Sequence, residues 1–509
     1  MTERTQISTT GIVAASALAV PFLGLVAGLQ GAAVNISATA LVSASRGLEM
    51  TGGTQALAAS VQTLAVAASV VTTGLIADRI GRRHMLLIAL AISAIGQLIV
   101  AVSPATAFYM LGMAITGIGM GATYGSAFGY LESIVPKAKL ASSMGVFTAC
   151  VMLSTLVMTF IGGVLCGINW RFAFLLVPVV SILALLGVQL LLPKLGRLAN
   201  GSFDLPGQFF LALGVISFLY GCSELANSLT SPRTIVPLVL GVVMLIAFFI
   251  REAKATGAFF PIRLFRSRVF LAAVCAGFIY NFGTAVTFLQ VTNLWQYVTG
   301  LSTSEVSVWQ IPLLVSGMLA GVVTGRLVGN VISDRVAIIG GAVLLLLGAV
   351  LLSMANSSHS LLAFTPGLII AGSGVVVAAV PFGALILREA PADSVGPVTS
   401  SRTTMGQMFY TLGFALSMVS VDRLTDIGVI AQLKADGVSP TSYGTGLDAL
   451  SVFVSTGQKP TSTVGQQALQ GAASSYGHAF SVTMIGAGVL ATVVGLLAFF
   501  LLAQDRTTS

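Results

Sequence analysis

Long apolar runs separated by short polar stretches dominate the pattern of residues along this chain. The runs are about 20 residues long, which is the length that a helix needs to cross roughly 30 Å of hydrocarbon. Since backbone polar groups in lipid must bond within their own segment, these runs are predicted to be helices. The alternation of period two that a transmembrane barrel requires is missing. The pattern therefore predicts an all-α integral membrane protein.

Fourteen transmembrane helices are predicted from these runs. Their spans are 11–41, 53–77, 84–103, 106–131, 140–166, 170–192, 207–227, 234–251, 269–294, 306–327, 335–355, 361–387, 397–421 and 476–503. The first span is longer and richer in Gly and Ala than the core of a signal peptide, so we expect it to be a retained helix. The only long polar stretch, 422–475, is predicted to be a solvated external loop, with a ligand-binding or capping element as the alternative.

The positions of the charged residues predict how the chain is oriented. With the N-terminus in the cytoplasm, eighteen of the 24 lysines and arginines fall on the cytoplasmic side of the predicted spans. This asymmetry obeys the positive-inside rule and predicts a cytoplasmic (plasma) membrane protein with both termini in the cytoplasm. The formal charge of +8 is spread over short loops, so it indicates membrane orientation rather than binding to nucleic acid.

Composition excludes several classes of protein. The chain is 56% hydrophobic and 8% charged, whereas soluble domains carry roughly a quarter charged residues. The four cysteines fall inside predicted spans without a C-x-x-C pair, so neither a metal site nor redox chemistry is indicated. No phosphate-binding loop of the G-x-x-x-x-G-K-[ST] type and no nucleophile–base set is found, so we predict no ATP, no cofactor and no enzymatic activity.

A charged loop lies between the second and third spans. Residues 74–83 read G-L-I-A-D-R-I-G-R-R, and this G-x-x-x-D-R-x-G-R-R pattern resembles the signature loop between helices 2 and 3 of the major facilitator superfamily of transporters. Four further stretches resemble the 14-helix drug:proton antiporter branch of that superfamily. They are N-W-R-F at 169–172, F-D-L-P-G at 203–207, the stretch 251–265 and the stretch 296–312.

The resemblance implies two six-helix bundles that rock around a site near the membrane midplane. The predicted organisation is a cytoplasmic N-terminus (1–10), an N-terminal bundle (11–192), a linker region with inserted helices 7 and 8 (193–268), a C-terminal bundle (269–503) and a cytoplasmic tail (504–509).

The resemblance also implies that the charged loop acts as a conformational latch. Asp78 is expected to accept hydrogen bonds from the start of helix 13, near Gly396, and Gly81 to allow a sharp turn. The arginines are expected to meet carboxylates or anionic headgroups. A basic loop that merely obeys the positive-inside rule explains the arginines but neither the aspartate nor the paired glycines. The predicted latch residues are Gly74, Asp78, Arg79, Gly81, Arg82 and Arg83.

Three departures from the family pattern bear on energy coupling. Gln30 stands where the branch usually has an aspartate in helix 1, and Met113 stands where helix 4 usually has an arginine. Helix 5 lacks the usual Gly-Pro pair and has Met158-Thr159 instead. We therefore expect weak or atypical proton coupling, with Glu132 as the best remaining proton site. Glu224 and Arg402 lie near predicted helix ends and are interpreted as interfacial charges.

Neutral polar residues are predicted to line the substrate cavity, which by resemblance lies between helices 1, 4, 9 and 12. Amide, hydroxyl and aromatic groups without a fixed charge suit neutral or weakly polar amphiphiles. Hydrogen bonding between helices is the alternative role for the amides. The predicted cavity residues are Gln30, Asn35, Tyr124, Asn281, Thr284, Phe288 and Gln290, with Gln62 and Gln407 as further polar positions.

Two rows of glycines at i+4 spacing predict smooth helix faces that let a neighbouring helix approach closely. The rows fit static packing and sliding helices equally well. They are Gly117, Gly121, Gly125 and Gly129 in helix 4, and Gly317, Gly321, Gly325 and Gly329 in helix 10.

Taken together, the sequence predicts a transporter that works by alternating access, without ATP and as a monomer. Its expected substrates are hydrophobic or amphiphilic small molecules, and export is implied by the resemblance alone. Two alternatives stay open. One is a carrier of a lipid or neutral metabolite without proton coupling, and the other is a transport-inactive sensor or assembly partner that uses segment 422–475.

Overall fold

The structure is a computed structural model, and it describes residues 9–50, 52–136, 139–193, 204–225, 228–254, 260–301, 303–358, 360–391, 395–456 and 459–503. Seventeen α-helices follow one another within these ranges. They are α1 (Thr9–Gly47), α2 (Gly52–Ile80), α3 (Arg82–Ala101), α4 (Thr106–Ile134), α5 (Leu140–Ile168), α6 (Trp170–Ala173), α7 (Leu176–Leu191), α8 (Leu205–Glu224), α9 (Pro232–Lys254), α10 (Arg268–Tyr297), α11 (Thr303–Trp309), α12 (Ile311–Leu327), α13 (Asp334–Met354), α14 (Thr365–Glu389), α15 (Val395–Ala435), α16 (Tyr443–Thr456) and α17 (Thr463–Ala503).

The described chain is all-helical, as predicted. Eleven of its helices are long and apolar enough to cross a membrane. Helices also occupy the three other predicted spans, 53–77, 306–327 and 397–421, where α2, α12 and α15 lie. The only β-type contact among the described residues is an isolated bridge between Val328 and Ile332.

The helices pack in two groups with a pair between them in sequence. In the N-terminal bundle, α1–α7, α1 packs on α5 and α4 packs between α2 and α3. In the C-terminal bundle, α10–α17, α14 packs on α10, α12 and α13, while α17 packs on α10, α13 and α15. The inserted helices α8 and α9 pack on each other, and α8 also contacts α2 and α15. The insertion therefore lies along the seam where both bundles meet.

An ion pair ties the start of α8 to the end of α9. Asp204 accepts the Gly207 N–H at 3.1 Å as the N-cap of α8, and Arg251 donates to the same carboxylate at 2.7 Å. Burial alone would raise the pKa of Asp204, but the hydrogen bonds from Arg251 and Gly207 outweigh it and hold that pKa below its usual range. Two of the motif-like stretches, 203–207 and 251–265, thus belong to one structural unit.

Segment 422–475 is mainly helical, so the prediction of an irregular loop there is wrong. Helices α15 and α17 are each 41 residues long, or about 60 Å at 1.5 Å per residue, so both continue past the predicted spans. Apolar side chains explain why. Val429, Leu433 and Ala468 are fully buried, and Leu447 and Leu450 of α16 pack against them. We call this three-helix unit the helical extension.

Candidate functional site

A cavity of about 210 Å³ lies between the two bundles. Helices α1, α2, α4 and α5 form its wall on the N-terminal side, and α10, α12, α14 and α15 form the opposite wall. Side chains from eight helices of both bundles therefore converge on one space, which is the arrangement of a small-molecule site.

Six of the seven predicted cavity residues line this space, namely Gln30, Asn35, Tyr124, Asn281, Thr284 and Phe288. Gln407 lines it as well. Gln290 does not. Its side chain is fully buried on another face of α10, where neither of its polar side-chain atoms has a hydrogen-bond partner. The prediction placed Gln290 in the cavity by its helix, but its position around the helix directs it into the packing.

Several polar cavity residues also bond within the protein. The Asn35 amide donates to Thr159 at 3.3 Å, joining α1 to α5. Asn281 donates to the Gly277 carbonyl at 2.8 Å, and Thr284 donates to the Tyr280 carbonyl at 2.5 Å. In each of these bonds the side chain donates a hydrogen, so its own oxygen stays available as an acceptor in the cavity wall.

Arg402 brings a positive charge into the cavity wall, which corrects its interpretation as an interfacial charge. The residue is 4% exposed and lines the cavity. Its Nη1 donates to the Tyr124 hydroxyl at 2.6 Å, and its guanidinium lies 4.4 Å from the Phe128 ring centre and 4.7 Å from that of Phe382. The cavity therefore contains a fixed charge, whereas the sequence predicted a cavity without one.

The sequence did contain a signal for Arg402. It is an ionisable residue inside a predicted span, which by default marks a functional position. Its place near the helix start favoured the interfacial interpretation, because a long side chain there can reach the headgroups. What the sequence could not provide is the packing of α15 against α4 and α14, which encloses the guanidinium.

The two bundles approach backbone to backbone at α5 and α12. A Cβ atom on Gly145 would lie 2.4 Å from the Gly321 carbonyl oxygen and 2.9 Å from the Gly325 Cα. A Cβ atom on Gly325 would lie 2.8 Å from the Gly145 Cα. Only glycine fits at positions 145 and 325. The predicted orientation places this contact at the cytoplasmic end of the molecule.

The other row glycines have several environments. Gly117 and Gly121 face α2, where added Cβ atoms would meet the Gln62 and Val66 carbonyls at 2.4 and 3.1 Å, and Gly317 faces Val376 of α14. Gly329 does not belong to the second row. It follows the end of α12 with φ +84° and has nothing near its Cβ position, because the chain turns there with a Gly329 N–H bond to the Ile332 carbonyl.

The charged loop 74–83 joins α2 to α3 through a tight turn. Gly74 is buried within α2, and Gly81 has φ +95° between the two helices, a conformation that favours glycine. Arg79 is partly buried at the end of α2. Gly125, from the glycine row of α4, lies in the buried face of that helix. The side chains of Asp78 and Glu132 lie outside the described part of the structure, so the predicted latch contact and proton site stay predictions.

Two arginines of this loop bind helix ends, which the sequence did not predict. Arg82 is 4% exposed and donates to the Gly129 carbonyl and, at 2.7 Å, to the Ser133 hydroxyl near the end of α4. Arg83 donates to the Val188 and Gln189 carbonyls at 3.3 and 3.0 Å, at the end of α7. Carbonyls in the last turns of a helix lie at the negative end of the helix dipole, so they attract these cations.

Comparison with known proteins agrees with this architecture. The sequence model of the Major Facilitator Superfamily matches residues 23–417. The chain belongs to the major facilitator superfamily. Proteins of this superfamily are transporters rather than enzymes, and they bind small-molecule substrates in a membrane.

The relatives of this superfamily member are distant. An uncharacterized MFS-type transporter of Mycobacterium tuberculosis is 25% identical over 70% of this chain. The matched region spans only about half (52%) of that relative's length. The multidrug transporter mfsC of Aspergillus fumigatus is 25% identical over 74% of both chains. The multidrug transporter MdtP of Bacillus subtilis is 27% identical over 68% of this chain and 64% of its own.

Solved structures show the same facilitator fold. The human organic anion transporter MFSD10 superposes with a TM-score of 0.60 over 95% of this chain and 98% of its own, at 14% identity. The proton:xylose symporter XylE superposes with a TM-score of 0.59 over 96% and 95% of the two chains, at 12% identity. At these identities the likeness concerns the fold alone.

Proposed function

We propose that this protein exports amphiphilic small molecules across the plasma membrane by alternating access. The observation that carries the proposal is the cavity between the bundles, whose lining comes from both of them. The multidrug transporters among its relatives support this function.

The proposed topology has fourteen membrane crossings with both termini in the cytoplasm. It adds α2, α12 and α15 to the eleven helices that qualify by length and hydropathy. Helix α12 is apolar but only 17 residues long, because α11 ends just before it, and the two together cover the predicted span 306–327. In this topology the helical extension lies outside the cell, and the protein acts as a monomer.

In the proposed cycle the structure represents a state closed at the cytoplasmic end. The glycine contact between α5 and α12 and the Arg402–Tyr124 bond both join the two bundles there. The loop 74–83 would stabilise this state as the latch, with Asp78 facing the start of α15. Opening would separate these contacts and expose the cavity to the cytoplasm.

We further propose that proton coupling is weak or absent. The described residues that line the cavity include no Asp or Glu, so none of them offers a carboxylate that could exchange a proton for a substrate. A carrier of a lipid or neutral metabolite without proton coupling is the second candidate function, and it is favoured by this same observation.

The function is tested by flux in proteoliposomes with a pH gradient and a membrane potential imposed separately. N-phenyl-1-naphthylamine serves as a neutral amphiphile and ethidium as a lipophilic cation. We expect movement of the neutral compound that a pH gradient changes little. Acceleration by the pH gradient alone would identify a proton antiporter instead, and Glu132 would be the first residue to replace. Failure of both compounds to move would contradict the proposed function.

Restoring the missing carboxylate of helix 1 should change the substrate range. Gln30 lines the cavity and is 6% exposed, so Gln30→Asp places a negative charge where a cation would bind. We expect this variant to move ethidium faster than the wild type does. A folded variant whose ethidium flux matches the wild type would argue against a substrate site at Gln30.

A further inference from the structure

The charge of Arg402 lacks an anionic counterpart in the described structure. Its Nη1 bonds to a neutral hydroxyl, its Nε is buried without a hydrogen-bond partner, and no carboxylate lines the cavity that it faces. A buried charge without an ionic partner is costly. Cation–π contacts with the rings of Tyr124, Phe128 and Phe382 offset only part of that cost.

Polar groups beside Arg402 extend this site. Thr403 follows it on α15, lines the cavity and is 6% exposed, and its hydroxyl has no hydrogen-bond partner. Gln407 lies in the same wall. The cavity thus holds a guanidinium with an unused N–H, a hydroxyl and an amide, which are the donors that an oxyanion accepts from.

Apolar groups fill the remainder of the lining. Met152, Phe288, Leu314 and Val375 come from four helices of both bundles. The cavity therefore combines one positive site with an apolar chamber. The same positive charge repels a lipophilic cation, for which the lining offers no carboxylate.

We propose that the cavity selects amphiphilic organic anions, with the acidic group of the substrate on Arg402 and Thr403 and its apolar body against the remaining lining. This inference rests on the proposed transport function and specifies its substrate class. The anion supplies the negative counter-charge for the Arg402 guanidinium. Binding is therefore strongest for compounds that join one carboxylate or sulfonate to an apolar group.

Three dansyl compounds with the same fluorophore test the proposal. Dansyl-glycine carries a carboxylate, dansylamide is neutral and dansylcadaverine carries an ammonium group. Their binding to the purified full-length protein in lipid nanodiscs is measured by dansyl fluorescence, and their flux is measured in proteoliposomes. We expect dansyl-glycine to bind at least about tenfold more tightly than dansylamide, because a charge-assisted bond to a buried guanidinium is worth one such factor or more.

Three variants at the site and one control variant separate charge recognition from structure. Arg402→Gln should abolish the preference for dansyl-glycine while leaving dansylamide binding in place, and Arg402→Lys should keep part of it. Tyr124→Phe removes the hydrogen bond across the bundles but not the charge, so it should keep the preference. Arg233→Gln, a matched charge removal at an exposed position on α9, should change nothing.

The outcomes distinguish this proposal from the one on which it rests. Binding and transport of dansylamide or dansylcadaverine, with dansyl-glycine no better, would overturn anion selection and leave the transport function standing. Binding and flux of none of the three compounds would contradict both. The ranking by the wild-type protein decides the question even if an Arg402 variant fails to fold.

Discussion

The arginines of this protein are specialised by what surrounds each of them. Arg82 and Arg83 bind the ends of α4 and α7, Arg251 neutralises the cap of α8, and Arg402 brings charge to the cavity. Each is a cation near a helix end in the sequence, and only the packing of the helices assigns the partner. At this scale the chemistry of a residue depends on which helix ends meet at it.

Replacing Arg82 should destabilise the fold. Arg82→Ala leaves the Gly129 carbonyl and the Ser133 hydroxyl without their cationic donor at a buried position, so we expect a loss of about 2 kcal/mol in the free energy of unfolding. Unfolding of the purified protein in a denaturing-detergent titration measures this loss. Arg326→Ala removes an exposed arginine from the end of α12 and is the control. Equal stability of both variants would contradict the role assigned to Arg82.

Residue types predicted part of the cavity well. Six of the seven predicted residues line the cavity, because helix identity and spacing were enough to position them there. Gln290 failed because a one-residue step along a helix turns a side chain by about 100°, and this moves it from the cavity into the packing. Arg402 was misjudged because enclosure by neighbouring helices is a tertiary property.

Among the described helices, α5 and α12 bring the backbones of the two bundles into direct contact. Gly145, Gly321 and Gly325 bring their backbones together without intervening side chains. A surface of this kind permits close approach and easy separation, both of which a gate needs. The glycine row predicted a smooth face, but it could not predict the partner helix.

A side chain at this contact should impair transport. Gly145→Val would drive its Cβ into the Gly321 carbonyl, and overpacking of this kind costs roughly 1–3 kcal/mol. We expect the closed state to lose population by about tenfold or more, and proteoliposome flux to fall accordingly. Gly163→Val is the matched control on the same helix, because nothing lies near its Cβ position. Flux that falls equally in both variants would show a general effect on α5.

The helical extension escaped prediction because its composition is that of a loop. Gly, Ser, Thr and Gln are frequent in 422–475, and the apolar positions are few. Those few were nevertheless informative, since Val429 and Leu433 lie one helical turn apart and are both fully buried. The spans within the membrane were easier to predict, because apolar length alone specifies them.

Disrupting the helical extension should leave transport intact. Leu433→Asp buries a charge among Val429, Ala468 and Leu447, so we expect the extension to unfold while the bundles stay folded. Limited proteolysis reports the unfolding, and flux of N-phenyl-1-naphthylamine reports the function. Loss of flux together with protection of the bundles from protease would instead show that transport needs the folded extension.

Across the whole molecule, the two bundles surround a cavity and contact each other at one end. The superfamily was predictable from short motifs, because glycine turns and charged loops recur where helices must meet closely. The charge in the cavity was not predictable, because α4, α14 and α15 enclose Arg402 together. We propose that the cavity around Arg402 is the transport site and that it opens to each side of the membrane in turn.

Labelling of a cysteine introduced into the cavity tests this proposal. Thr284→Cys, in a protein whose four native cysteines are replaced by serine, is labelled with a membrane-impermeant maleimide from either side of sealed vesicles, with and without dansyl-glycine. We expect labelling from the outer side at rest and a rise in labelling from the cytoplasmic side during transport. Bound substrate should protect the cysteine from the maleimide. Labelling that comes from one side only under every condition, indifferent to substrate, would contradict the proposal.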